Sequence, residues 1–268
     1  MNVITLDFEN YYDTQHSLSH LSTVQYVASD LFKVWGVGIK INDAQTEWFG
    51  ADECTDAIKA IQWDESAVVC HNTLFDAYIL TQHYNCTPKY YYDTAAMARG
   101  LAPNESASLK ATCERMFPDD KTMRKGDELV NAKGIFDLPP DIEEQIAGYC
   151  IQDVDLTYAL YNRMQPTYPQ SELDIIDLTC RMFVEPKLVL NKPLLIAHKE
   201  AVAEDTVQKI ARSGLSREQL ASQKQFAEYL ESIDITVPTK KSPRTGEMIP
   251  AFSKTDAAYT QMCNMYPQ

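Results

Sequence analysis

The sequence predicts an α/β fold followed by a mainly helical C-terminal segment. Two observations carry this reading. Short β-rich runs alternate with helix-period runs through residues 1–165, and beyond Gln165-Pro166-Thr167-Tyr168-Pro169 the apolar patterns turn helical. A boundary is therefore expected near residue 166, with one domain over 1–165 and a second part over 166–268.

The elements follow in order. Asn2-Val3-Ile4-Thr5-Leu6, leading into Asp7-Phe8-Glu9, is an extended run rich in β-formers. Val34 to Ile41 is a second strand, Asn42-Asp43 supplies turn chemistry, and Gln45 to Phe49 returns as a third. Ala51 to Ile61 has apolar residues at helical spacing, and Ala67 to Cys70 is a short buried strand. Leu74 to His83 reads as a helix and Tyr90 to Asp93 as a strand, with helices again at Thr94–Gly100 and Ser108–Phe117. Pro139-Pro140-Asp141 opens the clearest helix, in which Ile142, Ile146, Tyr149, Val154 and Leu160 recur near the helical period. In the second part, Leu173–Val184, Pro193–Ser213 and Ser216–Ser232 read as helices, and Val237 to Gly246 as a basic, turn-rich loop.

Composition narrows the function classes. Lys and Arg number 24 against 38 Asp and Glu, a net charge of −14. Such a chain repels phosphate backbones at long range, which argues against a protein that merely coats nucleic acid. An enzyme that meets nucleic acid through bound cations is not. The seven cysteines contain no C-x-x-C pair, which argues against a zinc ribbon and for reduced thiols in a cytosolic protein. No run reaches the ~20 apolar residues of a membrane span, and no basic region precedes an apolar run at the N-terminus, so neither membrane span nor signal peptide is expected.

Three acidic elements carry chemistry. In Asp7-Phe8-Glu9, strand alternation puts both carboxylates on one face and Phe8 on the other. Paired carboxylates repel, and a hard divalent cation relieves that repulsion through oxygen ligands. His71-Asn72-Thr73-Leu74-Phe75-Asp76 follows a buried strand and opens a helix, placing Asp76 in its first turn. Tyr149-Cys150-Ile151-Gln152-Asp153 sets Tyr149 and Asp153 four apart on one helix face. Each element alone is also what a solvated strand face, a helix cap or a packed tyrosine would give. Asp155 lies about 200° round the helix from Asp153 and is set aside. Asp93 is read as a helix cap.

In order and context the three elements resemble the DEDD superfamily of 3′–5′ exonucleases, in the subgroup marked by Y-x-x-x-D. The resemblance covers roughly residues 1–165. It implies an RNase H-like (DnaQ-like) exonuclease fold, a mixed central sheet flanked by helices. It also implies a two-metal site for Mg²⁺ or Mn²⁺. Asp7, Glu9 and Asp153 would hold one ion, with Asp7 bridging to a second that Asp76 helps hold, and Tyr149 would orient the attacking water. Phe8, His71, Asn72 and Phe75 are the candidate substrate contacts. Lys121, Arg124 and Lys125 form one candidate basic patch, and Lys240, Lys241 and Arg244 another.

The second part is similar to the start of the thumb in phage-type family A DNA polymerases. Pro238, Lys240, Ser242, Thr245 and Gly246 stand at the positions of a P-x-K-x-S-x-x-T-G loop. No palm or fingers motif follows. The resemblance thus implies a proofreading exonuclease acting on a single-stranded DNA 3′ end in the cytoplasm, of the host if phage-encoded. Its polymerase module would lie in the same gene or in a separate chain. RNA as substrate, and a degenerate scaffold that binds without cutting, are the competing readings.

Overall fold

Five strands build one mixed sheet in the computed structural model, which describes residues 1–125 and 132–266. The chain runs β1 (Asn2–Asn10), α1 (Thr23–Val27), β2 (Val34–Ile41), β3 (Glu47–Gly50), α2 (Cys54–Lys59), β4 (Ser66–Cys70) and α3 (Thr73–Tyr78). It continues through β5 (Tyr90–Asp93), α4 (Thr94–Leu101), α5 (Leu109–Met116), α6 (Pro140–Met164) and α7 (Gln170–Val184). The strand order is β3-β2-β1-β4-β5. Central β1 pairs antiparallel with β2, Leu6 opposite Ile39, and parallel with β4, Ile4 opposite Val68.

Alternation along β1 feeds two cores. Ile4, Leu6 and Phe8 join Val37, Ile39, Val68 and Tyr91 on one face, beneath Ile58 of α2 and Ala77 of α3. On the other face, Ala67, Val69 and Tyr92 pack against Met97 of α4, Cys113 of α5 and Leu156, Leu160 and Met164 of α6. The result is a sheet between two helical layers, the architecture expected from strand and helix alternation.

The edge strand β5 is covered by α7. The Asp177 carboxylate accepts from the Tyr91 backbone N–H at 2.8 Å, satisfying a donor that an edge strand otherwise leaves open. Arg181 bridges Asp177 and Glu185, both at 2.8 Å, and its guanidinium lies 5.0 Å from the Tyr91 ring centroid. This packing moves the boundary. The chain divides into Met1–Leu188 and Val189–Gln268 rather than near 166, because α7 is held by the sheet edge.

The second unit contains α8 (Lys192–Ser213), α9 (Arg217–Ala221), α10 (Gln223–Ser232), β6 (Thr239–Lys241), β7 (Met248–Pro250) and α11 (Ala257–Met265). The single helix expected over 216–232 is broken at Ser222, whose hydroxyl caps α10 by accepting from Gln225 N. The basic loop is a hairpin of β6 and β7, closed by Gly246 at φ +73°. No described helix is long and apolar enough to cross a membrane.

One close approach within the sheet is directly testable. A Cβ on Gly36 of β2 would lie 2.0 Å from the Trp48 ring of β3. Gly36→Ala is expected to cost about 1–3 kcal/mol through overpacking, read as a lower denaturant midpoint with an unchanged m value.

Candidate active site

The site is built at the C-terminal end of β1. Asp7 and Glu9 project to one face. Phe8 projects to the other, where it is 4% exposed and stacks on Tyr84 with ring centroids 5.6 Å apart. The β1–β2 register shifts between Glu9 and Asn10, a bulge of the kind that re-aims side chains beside functional sites. Asp7 stands opposite Gly38 in β2. An added Cβ there would meet the Cys150 thiol at 2.9 Å and Val154 at 3.0 Å, so the missing side chain is what lets α6 settle onto β2.

That packing brings α6 to Asp7. The Cys150 thiol donates to the Asp7 carbonyl at 3.3 Å and lies 3.8 Å from its carboxylate Oδ2. One ligand atom each from Asp7, Glu9 and Cys150 lie within 4.8 Å of one another. Further along α6, Asp153 is 6% exposed. Its Oδ2 pairs with Lys125 Nζ, and its Oδ1 is buried with no partner. Lys125 Nζ also lies 4.7 Å from the Tyr149 ring centroid.

Asp76 arrives from α3. Asn72 takes a left-handed conformation at φ +75° and turns the chain sharply from β4 into the helix. Thr73 Oγ1 pins the turn by donating to the Tyr92 carbonyl at 2.6 Å. Asp76 is 3% exposed, and its Oδ1 accepts from the Phe8 N–H at 3.0 Å, which seats it against β1 between Asp7 and Glu9.

Burial and mutual repulsion dominate the electrostatics. Burial first, and then the Asp153 charge, push the Asp7 carboxyl up to about 7, against the opposing pull of Lys125. Burial and then the Asp7 charge raise Glu9 and Asp76 well above the usual carboxylate range. Burial also raises Asp153, with Lys125 again opposing. For Lys125, burial pulls its pKa down, but the Asp153 charge together with hydrogen bonds to Asp153 and Tyr149 offsets this and raises the net value. Two half-buried carboxylates, Asp7 and Glu9, and two buried ones, Asp76 and Asp153, with one lysine among them and one carboxylate oxygen without a partner, fit a divalent cation by donor type and by charge.

Other residues marked in the sequence fall differently. Phe8 and Phe75 border a pocket of about 240 Å³ beside Glu9, together with Asn10, Tyr12 and Tyr26. His71 has no ring nitrogen left for a substrate, because Nδ1 meets Thr94 Oγ1 and Nε2 meets the Ala107 carbonyl, both at 2.9 Å. Asn72 serves the turn, its N–H donating to Asp93 at 3.1 Å. Asp93 caps α4 through Ala95 N and Ala96 N. Asp155 faces away and binds Thr46 at 2.6 Å and Lys40 at 3.0 Å. Arg124 is spent on the carbonyls of Phe117 and Pro118, both at 2.8 Å. Lys240 pairs with Asp256 at 2.8 Å. Sequence reading missed the approach of Cys150 and the pairing of Lys125 with Asp153. Its only signals were a cysteine inside Y-x-x-x-D and a basic cluster before α6.

Residues 39–168 match the family model described as 3′–5′ exonuclease. That span contains Asp76, Tyr149 and Asp153, while Asp7 and Glu9 precede it. Among solved structures, RNase D from Trypanosoma brucei aligns with a TM-score of 0.52 at 14% identity, over 70% of this chain and 68% of that one. The catalytic core of RRP6 from the same organism aligns with a TM-score of 0.51 at 15% identity, over 86% of this chain and 58% of that one. No curated protein matches. The likeness to these structures is one of fold: residues 39–168 match a 3′–5′ exonuclease model, and the sheet and its helices have the fold of DEDD exonucleases.

Proposed function

We propose that this chain hydrolyses the terminal phosphodiester at a DNA 3′ end as the proofreading part of a family A polymerase. The observation that carries the site is the gathering of Asp7, Glu9 and Asp76 at the C-terminal end of β1, with Asp153 one helical turn after Cys150, whose thiol meets Asp7. Asp7, Glu9, Asp76 and Asp153 would hold divalent cations, with Asp7 and Glu9 as the paired carboxylates of the strand. Bound there, such ions neutralise charge developing at phosphorus and lower the pKa of water. The residues of the chain do the rest. The backbone N–H of Phe8 fixes the Asp76 carboxylate. The Tyr149 hydroxyl orients the attacking water, and Lys125 beneath its ring adds positive charge on the substrate side. The pocket beside Glu9 receives the terminal nucleotide, with Tyr12 and Phe75 offering apolar faces.

DNA is favoured by the likeness of residues 238–246 of the second unit to a loop at the start of a polymerase thumb. RNA is the second reading, prompted by the fold neighbour named RNase D. Matched 5′-labelled DNA and RNA single strands separate the two. Faster shortening of DNA from the 3′ end supports proofreading, and faster shortening of RNA reverses the assignment.

The site makes two predictions. Asp7→Asn and Asp153→Asn are each expected to lower single-turnover cleavage by about 10³-fold or more, and Tyr149→Phe by about 10²-fold, with circular dichroism unchanged. Cleavage within threefold of wild type in Asp7→Asn would overturn the site.

The second prediction concerns pH. The folded-state Asp7 pKa of about 7 lies above the ~3.9 of an unfolded aspartate. Its contribution to the stability of the metal-free protein is therefore full below about 4 and lost as pH rises through about 7. Melting temperature in chelator should fall between about pH 5 and about pH 8, and Mn²⁺ should raise it more at the higher pH, because the ligands must be deprotonated. An equal Mn²⁺ effect at both pH values would contradict this.

A further inference from the structure

The carboxylate pair of β1 has a third neighbour that oxygen-based chemistry does not use. Cys150 is buried at 0% exposure, and its thiol lies 3.8 Å from Asp7 Oδ2. In tetrahedral zinc coordination, sulfur at ~2.3 Å and oxygen at ~2.0 Å from the ion stand about 3.5 Å apart. The observed separation is thus near that of two ligands on one thiophilic ion. A Glu9 oxygen completes a set within 4.8 Å. Independently, Asp153 lies one turn after Cys150 on the same face of α6, is 6% exposed, and leaves Oδ1 buried without a partner.

We propose that Asp7, Glu9 and Cys150 form a mixed oxygen–sulfur site for a thiophilic divalent cation such as Zn²⁺, which excludes the hard cation from the same carboxylates. The proposal rests on the carboxylate site assigned above and adds a ligand to it. Hard ions such as Mg²⁺ and Mn²⁺ are indifferent to the thiol and use oxygen alone, whereas soft ions gain from thiolate. Binding is balanced by loss of the thiol proton to solvent as the sulfur–metal bond forms. Gly38 is part of the device, since any side chain there would push the thiol out of place.

Cadmium and manganese test this separately. Cd²⁺ titrated into the wild-type protein should produce a thiolate-to-metal charge-transfer absorption in the ultraviolet. Cys150→Ser should lose that band and about tenfold or more in Cd²⁺ affinity, while its Mn²⁺ affinity by calorimetry stays within about twofold. Asp7→Asn should lose both the band and Mn²⁺ binding, and Cys150→Ala guards against a fold-specific effect of serine. Calorimetry in buffers of different ionisation enthalpy should show one more proton released with Cd²⁺ than with Mn²⁺ in wild type alone. If Mn²⁺ binds but the cadmium band is the same in wild type and Cys150→Ser, the thiol ligand is wrong and the carboxylate site stands. If wild type binds neither ion, the carboxylate site itself falls, and this proposal with it.

Discussion

Like-charge repulsion at the end of β1 is the constraint around which the rest of the domain is arranged. Buried Asp76 and Asp153 stand beside half-buried Asp7 and Glu9, and burial together with neighbouring carboxylate charge raises the cost of ionising Asp7, Glu9 and Asp76. A group of this kind persists only where the surrounding structure over-determines it. Here the restraint is backbone rather than side chain. The strand pleat fixes Asp7 and Glu9 on one face, the Phe8 N–H fixes Asp76, and a helix of 25 residues fixes Asp153. Lys125 compensates one carboxylate, and the residual negative charge is what a cation would answer.

The close approach of α6 to the sheet follows from the missing side chain of Gly38, which makes room for Cys150 and Val154, while Gly36 makes room for the Trp48 ring within the sheet. Larger groups would lift α6 and carry Tyr149 and Asp153 away from β1. On the other side of the sheet, apolar packing of Phe8 on Tyr84 anchors the residue between the two carboxylates. The charge cluster is therefore held by apolar contacts it does not itself touch. The cost of gathering carboxylates is offset by burial of Ile4, Leu6, Val68 and their neighbours.

The edge of the sheet shows the same division of labour. Asp177, Arg181 and Glu185 of α7 complete β5 through hydrogen bonds and the Tyr91 ring. A charged network that reads as ordinary surface helix in one dimension becomes the seal on an open strand. A Pro-rich stretch at 165–169 looks like a linker because proline punctuates local structure. It is only a turn between α6 and α7, since the next helix still has a sheet edge to cover.

Local rules carried much of the fold. Period-2 and period-3.6 patterns located β1, β2, β4, β5 and α4 to α8, and the alternation of strands and helices set the layered architecture. They missed α1, whose capping box spans few residues, and the hairpin of β6 and β7, whose strands are three residues each. Chain order also placed the acidic elements in the contexts the fold later gave them: strand end, first helical turn, helix face. What one dimension could not supply was proximity. That Cys150 sits on Asp7, that Lys125 rather than Arg124 meets Asp153, and that both ring nitrogens of His71 are spent, depend on which side chains packing forces together. Sequence by itself determined residue type, period and order, because these are set by covalent geometry and local backbone preference. Tertiary structure alone decided which charges share a low-dielectric space, because burial and Coulomb coupling depend on distances that no spacing along the chain encodes.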